Sequence, residues 1–111
     1  MGINFQLHRA SVNAAKGIRE FQRADNALAK GNDDTAVKHL NKGLEKFSTA
    51  LDHLVKAEAD TYAKAAKDFD QGNEQLEKAI EAWADGKDSV AVSHYENALM
   101  KYDEALDLLD N

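Results

Sequence analysis

GNDDTAVKHLNKGLEKFSTALDHL, residues Gly31 to Leu54, and GKDSVAVSHYENALMKYDEALDLL, residues Gly86 to Leu109, write one skeleton twice, 55 residues apart. Both begin Gly-x-Asp, continue with Ala-Val, place a His two residues on, and run into a ladder of large apolar residues. Working outward, residues 9–54 align with 64–109 without a gap, with 16 identities in 46 positions. Many of the differences keep size, as in Leu40 with Tyr95, Phe47 with Tyr102 and Leu28 with Trp83. A duplicated unit of this length is one supersecondary element that buries its apolar face against its copy.

Each copy reads as two helices. In the first, Leu7, Ala10, Ala14, Gly17, Phe21, Ala24 and Leu28 recur at alternating steps of three and four, the spacing of one buried helical stripe. Asn4 is a candidate N-cap, and Gly31 suits the left-handed position just past a helix C-terminus. Asn32, Asp33, Asp34 and Thr35 then supply cap candidates, with Asp33 or Asp34 as the acceptor, for a second helix with the seam Val37, Leu40, Leu44, Phe47, Leu51, Leu54. Tyr62, Ala65, Phe69, Gly72, Leu76, Ala79 and Trp83 repeat the first stripe, and Val92, Tyr95, Leu99, Tyr102, Leu106 and Leu109 repeat the second.

Small residues fall every seventh position beside the large ones: Ala10, Gly17 and Ala24, then Ala36, Gly43 and Ala50, with matching sets in the second copy. They predict that paired helices within a hairpin approach closely. The fold class that follows is all-α: a single domain over residues 1–111, an up-down-up-down four-helix bundle built from two duplicated helical hairpins, repeats 1–55 and 56–111. Helices of about 22–26 residues would be roughly 33–39 Å long. The join at residues 55–61 has no Gly or Pro, though Asp60 or Thr61 can cap a new helix. A turn there closes a monomeric bundle; a continuous helix over about residues 34–85 would instead exchange hairpins in a homodimer.

At the inter-helix turns the chain resembles the tetratricopeptide repeat. Gly86-x-Asp88, Ala91, Tyr95, Ala98 and Leu99 follow the spacing with which that repeat enters its second helix, and Gly31, Asp33, Ala36, Leu40 and Leu44 echo it, with Gly43 at the last small position. The resemblance is local: Gln75, Lys78, Ala79 and Ala82 stand where the repeat's first helix has its signature residues, Asp103 stands at its closing Pro, and the period is 55. It implies a protein-binding helical hairpin.

Composition narrows the function classes. The chain has no Pro and no Cys, which removes disulfides, thiolate nucleophiles and cysteine metal sites. No apolar run reaches the roughly 18 residues of a membrane span, and the N-terminus lacks a secretory pattern, so a cytoplasmic protein is expected. A net charge of −6 speaks against nucleic acid. Residues 1–55 hold 8 Lys+Arg against 6 Asp+Glu and residues 56–111 hold 6 against 14, giving +2 and −8. The simplest use of that asymmetry is attraction between the halves in the fold; the other is an acidic surface for a basic partner.

Few residues offer chemistry. His39 and His94 occupy equivalent positions on the flank of the stripe, either as boundary residues inherited from the duplication or as paired metal or proton sites. No Glu-x-x-His occurs, so the di-iron arrangement of four-helix bundles has no ligands, and His8 and His53 are expected to project outward. No nucleophile elbow or phosphate-cradling glycine loop is present. Gly17 and Gly72 could clear space for a flat ligand between helices. Asp103, Asp107 and Asp110, with Glu104, gather at the acidic end of the last helix and form a candidate docking patch for basic side chains. The reading is a non-enzymatic interaction or structural module with a protein partner and no cofactor. The alternative is a small-molecule or metal carrier using the bundle interior or the His pair.

Overall fold

The computed structural model describes residues 2–57 and 62–110, with side chains at 6–56 and 62–109. Its four helices are α1 (Gly2–Ala29), α2 (Asp33–Ala57), α3 (Ala63–Ala84) and α4 (Asp88–Asp110), an all-α bundle of two hairpins. The longest dimension is 44 Å. One straight helix over residues 34–85 would span roughly 78 Å at 1.5 Å per residue. Instead α2 ends at Ala57, α3 begins at Ala63, and the two pack against each other. The join itself, with Asp60 and Thr61, lies outside the described residues; α3 is entered through Tyr62 without a side-chain cap hydrogen bond.

The two inter-helix turns are superposable in their chemistry. Gly31 and Gly86 sit at φ 77° and 75°, the left-handed region that costs a side-chain-bearing residue about 1–2 kcal/mol. Around Gly31, its own N–H reaches the Leu28 carbonyl at 3.1 Å and the Asn32 N–H reaches Ala27 at 2.8 Å. Gly86 to Trp83 at 3.1 Å and Lys87 to Ala82 at 2.8 Å repeat the pair. This is the double closure that satisfies the last carbonyls of a helix. The sequence reading is corrected at the caps. The first backbone bonds of α2 and α4 run from Ala36 to Asn32 and from Ala91 to Lys87, so those residues hold the cap position. Asp33, Asp34 and Asp88 stand in the first turn, where carboxylates favour the positive end of the helix dipole. Asn4 lies inside α1, which runs from Gly2, and its side chain lies outside the described residues.

The small residues explain the core. A Cβ on Gly17 would lie 2.6 Å from the Phe47 ring, one on Gly43 2.7 Å from the Phe21 Cδ1, and one on Gly72 2.6 Å from the Tyr102 ring. The glycines are seats for rings from the facing helix. The exchange is reciprocal in the first hairpin: Phe47 of α2 sits on Gly17 of α1, and Phe21 of α1 sits on Gly43 of α2. Phe47 and Tyr102 then stack at 3.8 Å, Phe21 joins both at 5.4 and 5.6 Å, and Phe69 tilts onto Phe47 at 5.5 Å. Each helix thus contributes one ring to a central cluster.

The hydroxyls that the second copy adds find partners. Tyr102 donates to Asn73 Oδ1 at 2.6 Å in the interior, and Tyr95 donates to Asp25 Oδ1 at 3.1 Å across the two hairpins. An unpaired buried hydroxyl would cost about 1–3 kcal/mol.

Where Phe21 faces Gly43, the second copy has Leu76 and Ala98 at the equivalent positions. Gly43→Ala is therefore expected to cost about 1–3 kcal/mol by overpacking. Most of that cost should disappear in a Phe21→Leu background. Urea unfolding of the four proteins of the double-mutant cycle checks this, and additive effects of the two substitutions would refute the ring-seat account.

Candidate functional site

The duplication supplies two seams between hairpins, α2 with α3 and α1 with α4, and the structure treats them differently. α2 and α3 pack more closely than α1 and α4, which approach closely at few points. At the end near the two turns, the α1–α4 seam is shut by aromatics: Phe21 meets Tyr95 edge-on at 5.9 Å and Tyr102 at 5.6 Å, and Tyr95 bonds Asp25. Beyond them the seam opens into a groove. Ile18, Leu106 and Leu109 are half-buried along it, and Ser11, Ala15, Arg19 and Gln22 line its α1 side.

One consequence corrects the sequence reading. Val92, placed on the core stripe, is 43% exposed, while its counterpart Val37 is half-buried. Val12 and Met100, on the outward faces of α1 and α4, are 37% and 61% exposed.

Asp103 and Asp107 are exposed on α4 together with Glu96. A helix places residues three and four apart on one side, so Asp103 stands on the same side of α4 as both Leu106, which lines the groove, and Asp107. The side chain of Asp110 lies outside the described residues. No close ion pair joins the oppositely charged halves among the described residues. The pairs there are Arg23–Glu20, His39–Glu20, Lys64–Asp68 and Lys101–Glu104, each within one half of the chain. Apolar packing and the Tyr95–Asp25 hydrogen bond join the hairpins instead. Glu96, Asp103 and Asp107 make no close ion pair among the described residues.

The repeated histidines have equivalent partners. His39 Nδ1 lies 2.8 Å from Glu20 Oε1, and His94 Nδ1 lies 2.8 Å from Gln75 Oε1. Both acceptors are oxygens, which makes Nδ1–H the donor in each ring. Glu20 and Gln75 are themselves 55 positions apart, so the duplication preserves the contact as well as the ring. Each histidine fastens the two helices of its own hairpin. His53, expected to face outward, is half-buried and bonds Gln6 Oε1 at 2.7 Å, linking α2 back to α1, while His8 is exposed. Among the described residues no group of three or more His, Asp or Glu side chains is arranged to hold a metal ion. Gly17 and Gly72, read as clearance for a flat ligand, are covered by Phe47 and Tyr102.

Electrostatics marks three groups. The hydrogen bond from His39 holds the Glu20 carboxyl below its usual range; burial opposes the shift, and the charges of Arg23, His39 and Lys42 add to it. Desolvation pushes the Tyr102 hydroxyl far upward with a further push from Glu77. Burial does the same to Tyr95, reinforced by the charge and hydrogen bond of Asp25. Both phenols therefore stay neutral and act as structural donors. Sequence reasoning missed Asp68, buried in α3 beside Lys64 at 3.3 Å and facing a cleft with Lys67 and Lys101. Its only sequence signal is its place beside the stripe, where the first copy has Asn13.

No family model, no curated relative and no solved structure matches the chain. Among the described residues, no helix is long and apolar enough to cross a membrane.

Glu20→Gln keeps the acceptor that Gln75 supplies in the second copy and removes the charge. A carboxylate with a depressed folded-state pKa contributes stability that is present above its unfolded value and is lost as pH falls through the folded one. Wild type should exceed Glu20→Gln in unfolding free energy near pH 6, with the difference closing below about pH 4. A constant difference across that range would remove the charge from the account.

Proposed function

We propose that this chain is a non-enzymatic protein-interaction module that receives its partner along the open α1–α4 seam. The observation that carries the reading is the broken equivalence of the two seams. The same duplicated stripes bring α2 and α3 into closer contact than α1 and α4, and leave Ile18, Leu106 and Leu109 half-buried in a groove between α1 and α4. Val12 and Met100 face outward on the same two helices and are exposed singly, which needs no explanation. The polar groups of the interior support a packing role: the Tyr95 and Tyr102 hydroxyls and the His39 and His94 rings are each committed to a partner within the bundle. The resemblance of the turn segments to the tetratricopeptide repeat points toward the same class of function.

Leu106→Asp places a charge on the groove wall without entering the fully buried core, and Val55→Asp places one at a 61% exposed site on α2. With both variants folded by circular dichroism, affinity capture followed by mass spectrometry should recover the wild-type partner with Val55→Asp and lose it with Leu106→Asp. Equal recovery by both variants would overturn the seam as the docking surface.

A further inference from the structure

The chemistry of the groove's two walls names its occupant. We infer that the partner segment is a cationic amphipathic α-helix lying along the α1–α4 seam, an inference that rests on the seam being the docking surface.

Three observations converge on it. The floor and α4 edge are apolar, with Ile18, Leu106 and Leu109, so the occupant presents an apolar ridge. The α4 side is acidic: Glu96, Asp103 and Asp107 are exposed, and none has an ion-pair partner among the described residues. The α1 wall is small and nearly neutral, with Ser11, Ala15 and Gln22 and a single cation, Arg19. A segment that fills this groove meets apolar side chains below and carboxylates along one side, and it gains from Lys or Arg on that flank.

Backbone chemistry selects the helix. Both walls of the groove are α-helices whose N–H and C=O groups are already bonded, so an extended strand would find no ladder partner there. A helix satisfies its own backbone and offers side chains at i, i+3 or i+4, and i+7. The α1 wall runs from Ser11 to Gln22, about 17 Å or three helical turns. A second copy of this chain does not fit as well. Two seams face to face would gather both acidic α4 helices into one interface, with only Arg19 on each α1 wall to answer them.

The probe is an amidated synthetic peptide of about 14 residues, or four turns, with Leu at helical spacing and Lys elsewhere, and its Glu counterpart. Titrations are read by fluorescence anisotropy at about 0.15 M salt, where interactions beyond roughly 8 Å are screened. The Lys peptide should bind and gain helicity, and the Glu peptide should not. Asp103→Lys/Asp107→Lys should weaken binding about tenfold or more, equivalent to about 1.4 kcal/mol. Leu106→Asp should abolish it. Glu74→Lys/Glu81→Lys, an equal charge change on exposed α3 positions, should leave affinity within about twofold. That margin is under 0.5 kcal/mol.

Equal weakening by the α3 pair would overturn the inference by reducing binding to diffuse attraction. Binding of the Glu peptide would overturn the charge assignment. Concentration-dependent dimerisation of the wild type, lost in Leu106→Asp, would make a second copy the occupant. In those last two cases the seam still docks a partner. If the Lys peptide fails to bind while partner capture remains sensitive to Leu106→Asp, the seam reading stands and the helix chemistry falls. If capture is insensitive as well, both fall.

Discussion

Four aromatic rings, one from each helix, set the terms for the rest of this bundle. Phe21, Phe47, Phe69 and Tyr102 meet at its centre, with the tightest pair stacked at 3.8 Å. Rings of that size fit between helices only where the facing backbone is bare, and Gly17, Gly43 and Gly72 provide those places. Each glycine inside a helix costs about 1 kcal/mol relative to alanine. Burying a ring returns about 1.5–3 kcal/mol, and each aromatic pair adds roughly 0.5–1.5 kcal/mol. The rings win, which is why three poor helix formers persist in helices otherwise rich in good ones.

The architecture was legible because it depends on periodicity and punctuation, which are local. The stripes gave four helices, the two glycines gave the turns, and the alignment of the copies gave the hairpin pairing. The meaning of the small residues was only half legible. Their spacing announced close approach, but that the approaching groups are rings depends on which α2 and α4 residues lie level with Gly17 and Gly72, a matter of tertiary register. Net charge by half-chain carries no information about which faces the acids occupy, and the exposure of Glu96, Asp103 and Asp107 on α4 is a matter of tertiary placement. The groove was invisible altogether, since Leu106 sits on the same repeated stripe as Leu51 and is half-buried like it, and no local pattern says which seam opens into a groove.

The polar contacts of the interior are better understood as fasteners than as sites. His39 with Glu20 and His94 with Gln75 hold the same pair of helical positions at the same 2.8 Å, although one acceptor is charged and the other neutral. A contact that survives the loss of its charge is valued for geometry. Tyr95 and Tyr102 carry the same lesson: where Leu40 and Phe47 needed nothing, the added hydroxyls required Asp25 and Asn73, and those partners pin the register of α4 against α1 and α3. Such hydrogen bonds contribute about 0.5–1.5 kcal/mol net, small beside the aromatic core yet sufficient to choose one register among neighbours.

Connectivity explains why the seam that stays open is α1–α4. In an up-down-up-down bundle three of the four neighbouring helix pairs are joined by short connections, which keep their partners at high effective concentration whatever the side chains do. Here α1 is joined to α2 by a turn at Gly31, α3 to α4 by a turn at Gly86, and α2 to α3 by the short segment between Ala57 and Ala63. Only α1 and α4 face each other without a direct covalent tether, and their contact depends on side chains alone: packing and the Tyr95–Asp25 hydrogen bond. The rings secure it at one end, where Phe21 meets Tyr95 and Tyr102, and nothing of comparable size continues the closure toward Ser11 and Leu109. A groove at that place can change width without straining any connection or disturbing the ring seats, so another helix can be accommodated there while the bundle's core remains as it is.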